Sequence, residues 1–188
     1  MSAIEEQKQI DKPLTRQLEG MGILHWEELL QWVKALPYGR NQQRNNPLLV
    51  LLEKKGTCST KHALLKMYAE ENELHEYQLV VGIYRMNENN TPQASNILKE
   101  NGLTYLPEAH CYLKSGSRRI DATLPGFDIA SFEEDILEEM VINIEQIADF
   151  KVNMHKHFLK DWIKKNEIVL DFEKVWSIRE ACITALNQ

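Results

Sequence analysis

Three runs that read as β-strands stand in the middle of this chain, with helical patterns on either side. Tyr77–Met86 contains Val80, Val81, Ile83 and Tyr84, and Glu108–Leu113 and Arg118–Thr123 flank Ser115-Gly116. Before them, Trp26, Leu29, Leu30, Val33 and Leu36 recur at helical spacing until Pro37. After the break at Gly56, Ala63, Leu64, Met67 and Tyr68 share one helical face, which ends near Asn72. Past Pro125-Gly126, Ser131 and Glu134 match a capping box ahead of Ile136, Leu137, Met140 and Val141. Met154, Phe158 and Trp162 follow at four-residue steps, and Val175, Ile178, Cys182 and Leu186 form a last stripe. Leu48–Leu52 fits a helix or a buried strand, and Ala94–Glu100 a short helix closed by Gly102. The expected class is α+β: a small antiparallel sheet with helices before and after it. The 188 residues suit a single domain, with a core over about 24–127 and a helical extension over 128–188.

The net charge of −6 gives no general attraction to nucleic acid or to an anionic membrane. No stretch approaches the roughly 20 apolar residues that span a bilayer. Met1–Lys12 is polar and lacks the apolar run of a secretory signal, so the expected compartment is the cytoplasm. Cys58, Cys111 and Cys182 are the three cysteines, without close pairing, and read as free thiols. His155 and His157 point roughly 200° apart on a helix, which argues against a shared metal. No cofactor is expected.

Cys58 follows Gly56-Thr57, where a helix begins. The unpaired N–H groups and partial positive charge of a helix N-terminus favour thiolate over thiol. The same groups suit the oxyanion of an acyl-transfer step. If the hairpin turn centres on Ser115-Gly116, Lys114 pairs with Ser117 and His110 pairs with Asp121. Their Cβ atoms would then stand about 4.5–5.5 Å apart on one face. That separation lets a carboxylate fix an imidazole's tautomer. Tyr112 and Arg119 would form the next pair, and a one-residue slip would part His110 from Asp121. A thiol, a base and an orienting carboxylate are the parts of a nucleophilic cysteine site.

Gly56-Thr57-Cys58 with Ala63-Leu64-Leu65 resembles the nucleophile helix of transglutaminase-like proteins. His110-Cys111-Tyr112 resembles the strand histidine of that family, and Asp121-Ala122-Thr123, with Pro125 after it, its aspartate strand. The likeness runs from about Gly56 to Pro125. Two departures are Tyr112, where tryptophan is frequent, and Leu124, which separates Thr123 from Pro125. The resemblance implies a papain-like fold with the cysteine helix packed on an antiparallel sheet. It implies Cys58 as nucleophile, His110 as proton relay and Asp121 as its orienting partner, with a thioester intermediate. The expected substrate is a peptide, a protein or a small amide, cleaved by hydrolysis. A catalytically inactive binding module and an arylamine-type acetyltransferase are the alternatives. No clear oxyanion donor stands upstream, and Arg40, Asn41, Gln42 and Gln43 are candidates because their loop precedes the cysteine helix.

Other residues invite simpler expectations. His62 shares a helical face with Cys58 but reads as a surface or supporting polar group. Lys61 reads as a solvated lysine. Cys111 should point away from His110 into the core, and Cys182 and the four tryptophans should be core residues.

Overall fold

The structure, a computed structural model, describes residues 12–127 and 129–186. The polar segment ahead of Lys12, read above for a secretory signal, lies almost wholly outside these residues. Among the described residues seven α-helices occur, in the order α1 (Pro13–Gly20), α2 (Trp26–Ala35), α3 (Leu49–Glu53), α4 (Cys58–Glu71), α5 (Ser95–Glu100), α6 (Asp149–Lys165) and α7 (Phe172–Ala185). The strands are β1 (Gln78–Met86), β2 (Leu106–Ser115), β3 (Arg118–Ile120) and β4 (Ile136–Val141). They form one antiparallel sheet in the order β3-β2-β1-β4. The α+β class is as the sequence indicates. The apolar run at 48–52 resolves as helix.

Side-chain alternation divides the sheet into two faces. Leu79, Val81 and Ile83 of β1 and Ala109, Cys111 and Leu113 of β2 pack with α4 residues Ala63, Leu64 and Leu65. Leu14 and Leu18 of α1 belong to the same core, so it begins earlier than residue 24. Glu71, near the end of α4, accepts from the N–H groups of Leu14 and Thr15 at 3.1 and 2.9 Å. Those are first-turn donors that α1 leaves without intrahelical partners. On the opposite face, Val80, Tyr84 and Tyr112 pack with Leu159 and Trp162 of α6 and Val175, Ile178 and Cys182 of α7. Cys182 is core, as expected.

The region around 129–141 differs from its sequence pattern. Residues 129–131 and 133–135 form 3-10 turns, and Ile136–Val141 is the edge strand beside β1. Ile136, Leu137, Met140 and Val141 satisfy a helical period, but unpaired β1 offers a row of backbone partners, and tertiary pairing prevails. The capping box at Ser131 and Glu134 therefore caps no helix.

The hairpin differs too. Ser115 pairs with Arg118, Lys114 with Arg119 and Leu113 with Ile120. The loop is Gly116-Ser117 rather than Ser115-Gly116. Gly116 stands first in it with φ of 58°, where a type II′ turn favours glycine. The register is shifted by two positions, an even number, so every side chain keeps its face. Neither His110–Asp121 nor Tyr112–Arg119 is a register pair. β3 also ends at Ile120, short of the expected Thr123.

Candidate active site

α4 opens with a capping box. Thr60 Oγ1 accepts from the Thr57 N–H at 3.0 Å, and Thr57 Oγ1 accepts from the Thr60 N–H at 3.4 Å. Cys58 is therefore the first helical residue, where backbone N–H groups have no intrahelical acceptor. Gly56 permits this start. A Cβ there would lie 2.9 Å from Lys61 Cγ and 3.0 Å from Val50 Cγ2. Gly56 is also held to the preceding loop by hydrogen bonds with Pro37 and Gly39.

Cys58, His110 and Asp121 converge. His110 Nε2 lies 2.6 Å from Asp121 Oδ2, reached on a diagonal across the end of β3. Cys58 and His110 each shift the other's pKa, the thiol downward and the ring upward. Since Asp121 occupies Nε2, Nδ1 is left for the sulfur. Burial alone would depress the His110 pKa. The Asp121 charge, the nearby Cys58 sulfur and the bonds to both outweigh it and push the ring up to about 10. Asp121 would be raised by burial, but His110 above all, then His62 and the Thr123 side chain, holds it below the usual carboxylate range. The Thr123 backbone N–H also donates to Asp121 Oδ1 at 2.8 Å.

The Cys58 thiol is held well below its ordinary range. A hydrogen bond from Cys111 leads, burial opposes, and the Lys151 charge and His110 add to the lowering. Cys111 is pushed the other way by its bond to Cys58 and by burial. Of the two, Cys58, at a helix start and acted on by Lys151 and His110, is the thiol drawn toward ionisation. Cys111 is buried as expected, yet it also reaches the site, with its sulfur 3.6 Å from Ser59 Oγ.

Beside Cys58, Lys61 differs from expectation, and His62 takes the supporting one of its two expected places. Lys61 is fully buried rather than solvated, and its ammonium donates to the carbonyls of Leu36 and Thr123 at 2.6 and 2.7 Å. Burial draws its pKa down to about 8, although Asp121 and Cys58 oppose that. His62 is a buried supporting residue, not a surface one. Its Nδ1 donates to the Cys58 carbonyl at 2.7 Å, and its Nε2 accepts from the Ala122 N–H at 2.8 Å. Both ring nitrogens are thereby committed, and burial keeps the ring neutral. His62 ties α4 to the Asp121 segment and has no atom left to act as the base for Cys58.

Cys58 lines a small cleft of about 80 Å³, open to solvent and walled by Tyr38, Lys151, Trp176 and Arg179 among others. The 128–188 region thus contributes to the site as well as to the fold. Lys151 of α6 is buried, with Nζ 3.4 Å from Cys58 Sγ and 2.9 Å from Ser59 Oγ. Nothing local in its sequence marks it; only its place on the inward stripe of an amphipathic helix was legible. Trp176 is half-buried cleft wall rather than core. Tyr38 also lines the cleft, and burial together with the Cys58 charge holds its phenol protonated.

Of the loop residues considered as oxyanion donors, Asn41 is buried, but its Nδ2 donates to Glu53 and to the Lys55 carbonyl. Arg40 pairs with Glu180 at 2.5 Å. Gln42 gives its backbone N–H to Glu53, and neither Gln42 nor Gln43 lines the cleft. His155 is buried against the Pro107 carbonyl at 2.8 Å, while His157 is exposed. Among the described residues no group of three or more histidine, cysteine or acidic side chains is placed to hold a metal ion. No helix among them is long and apolar enough to cross a membrane.

Compared with family models, curated proteins and solved structures, the chain matches none.

Proposed function

We propose that this chain is a cysteine-dependent acyl-transfer enzyme that cleaves an amide bond through a thioester on Cys58. The observation that carries the reading is Cys58 at a helix N-terminus, lining an open cleft, its thiol drawn down in part by the charge of a histidine whose Nε2 is 2.6 Å from a buried aspartate. Cys58 is the nucleophile, His110 moves the proton and Asp121 is a positioning residue. The Sγ lone pair forms the S–C bond while the carbonyl π pair moves onto oxygen. Collapse of that intermediate breaks the C–N bond, and the leaving amine takes the His110 proton. Neutral His110 then accepts a proton from the water that hydrolyses the thioester.

The order Cys58, His110, Asp121 and a cysteine helix packed on an antiparallel sheet support a transglutaminase-like, papain-related arrangement. On that reading the substrate is a peptide, a protein or a small amide. The test is turnover of a panel of amides and activated esters, with mass spectrometry for an acyl adduct on Cys58. Wild type should form the adduct, and Cys58→Ala should lose both adduct and turnover while keeping its circular dichroism. Turnover retained by Cys58→Ala overturns the reading.

A further inference from the structure

Lys151 is a buried cation that the cysteine, histidine and aspartate do not account for. Among the described residues its ammonium bonds Ser59 Oγ at 2.9 Å and Cys58 Sγ at 3.4 Å. An ammonium has three donors, so one remains after these two. No carboxylate takes it: Glu108 is the acid nearby, and both its oxygens accept from Arg179, at 2.8 and 2.5 Å. A buried charge is costly unless it is paired, and an apolar side chain would fill the same space without that cost. Cys111 and Glu108 also act on its charge, but the ionisable group within hydrogen-bond distance of the Lys151 ammonium is the sulfur of Cys58.

We propose that Lys151 is a catalytic residue whose ammonium stabilises the oxyanion formed when Cys58 attacks an acyl carbonyl. This rests on the acyl-transfer reading above. As the S–C bond forms, negative charge leaves Sγ and appears on a carbonyl oxygen two bonds away. An ammonium already 3.4 Å from that sulfur stays within reach of the charge as it moves. Ser59 Oγ anchors the ammonium, so little reorganisation accompanies the step. The first-turn N–H groups of α4 supply neutral donors on the same nucleophile, and Lys151 adds full charge. In the upstream loop the Asn41 amide is committed to Glu53 and the Lys55 carbonyl, and Arg40 is paired with Glu180.

Two reactions of Cys58 separate this role from that of a thiolate counterion. Alkylation by iodoacetamide makes no oxyanion, whereas acylation by p-nitrophenyl acetate does. Both rates are measured across pH for wild type and Lys151→Met. In the variant, alkylation should need higher pH to reach its plateau but arrive within a few-fold of the wild-type plateau. Acylation at that pH should fall on the order of 100-fold, and Lys151→Arg should recover part of it. An unchanged ratio of acylation to alkylation at the plateau overturns the proposal and leaves Lys151 a counterion. If Lys151→Met does not fold, Lys151→Gln serves for the same comparison. A wild type that is alkylated rapidly but never acylated defeats the acyl-transfer reading itself, and this proposal with it.

Discussion

Lys151 Nζ lies 3.4 Å from Cys58 Sγ, across 93 positions of sequence. The charge on the sulfur is therefore balanced from two sides. His110 comes from the sheet and Lys151 from α6. Each cation favours thiolate, and each can be removed separately.

Replacing His110 by alanine takes away the cation nearer in sequence and, on the proposed mechanism, the proton carrier. An opposite charge at contact distance shifts a pKa by roughly 1–3 units, so alkylation of Cys58 at neutral pH should slow by about tenfold or more. Acyl transfer to an amide should be lost, because the leaving amine has no proton donor. Rates of both reactions on the same preparation check this.

Asp121→Asn tests the positioning role. His110 is held up to about 10, above its ordinary 6.5, in part by the Asp121 charge. A raised histidine is protonated below that value, so amide cleavage should persist to about pH 10 and decline above it. Alkylation, which needs only the thiolate, should show no such decline. In Asp121→Asn the upper limb of the cleavage profile should move to lower pH, and cleavage should drop by roughly 10³–10⁴. An unmoved upper limb would separate the aspartate from the titration of His110.

The helix that begins at Cys58 was legible because its start is marked by a glycine, a capping threonine and an apolar face. The β segments were legible from their β-forming residues. The hairpin register was not, since Ser-Gly and Gly-Ser are both acceptable two-residue loops and choosing between them moves every pair by two. The His110–Asp121 contact survives that error because an even shift preserves the face and β3 ends before Asp121, freeing it to reach diagonally. Edge strand β4 was hidden because Ile136, Leu137, Met140 and Val141 also fit a helix. Lys61 and Lys151 were hidden for another reason. Lysine is ordinarily solvated, and their burial depends on acceptors brought from distant segments.

Arg179 and Glu108 hold α7 against β2 through two hydrogen bonds, with side-chain exposures of 13% and 6%. Arg179→Met would leave Glu108 buried without its partner. The expected loss is about 3–5 kcal/mol, seen in thermal melts as a drop in Tm of roughly 10 °C or more. A loss under about 1 kcal/mol would mean that solvent reaches Glu108.

Gly82 faces His110 across the β1–β2 ladder, and a Cβ there would stand 2.7 Å from the Tyr112 hydroxyl. That hydroxyl donates to Glu139 Oε1 at 2.5 Å. Gly82→Ala should displace the ring next to His110 and cost about 1–3 kcal/mol, measured by urea unfolding. A variant as stable as wild type would show that Tyr112 moves freely.

The central claim is that Cys58 is an activated thiolate, and the rate of iodoacetamide labelling at each cysteine across pH tests it most directly. Cys111 and Cys182 are internal controls, the first pushed up by its bond to Cys58 and the second raised by burial to about 11. Peptide mass spectrometry separates the three. The account predicts that Cys58 labels far faster than the other two, reaches its plateau well below pH 8, and slows in His110→Ala. Labelling of Cys58 that rises only near the pH of an ordinary thiol, and is indifferent to His110, would contradict it.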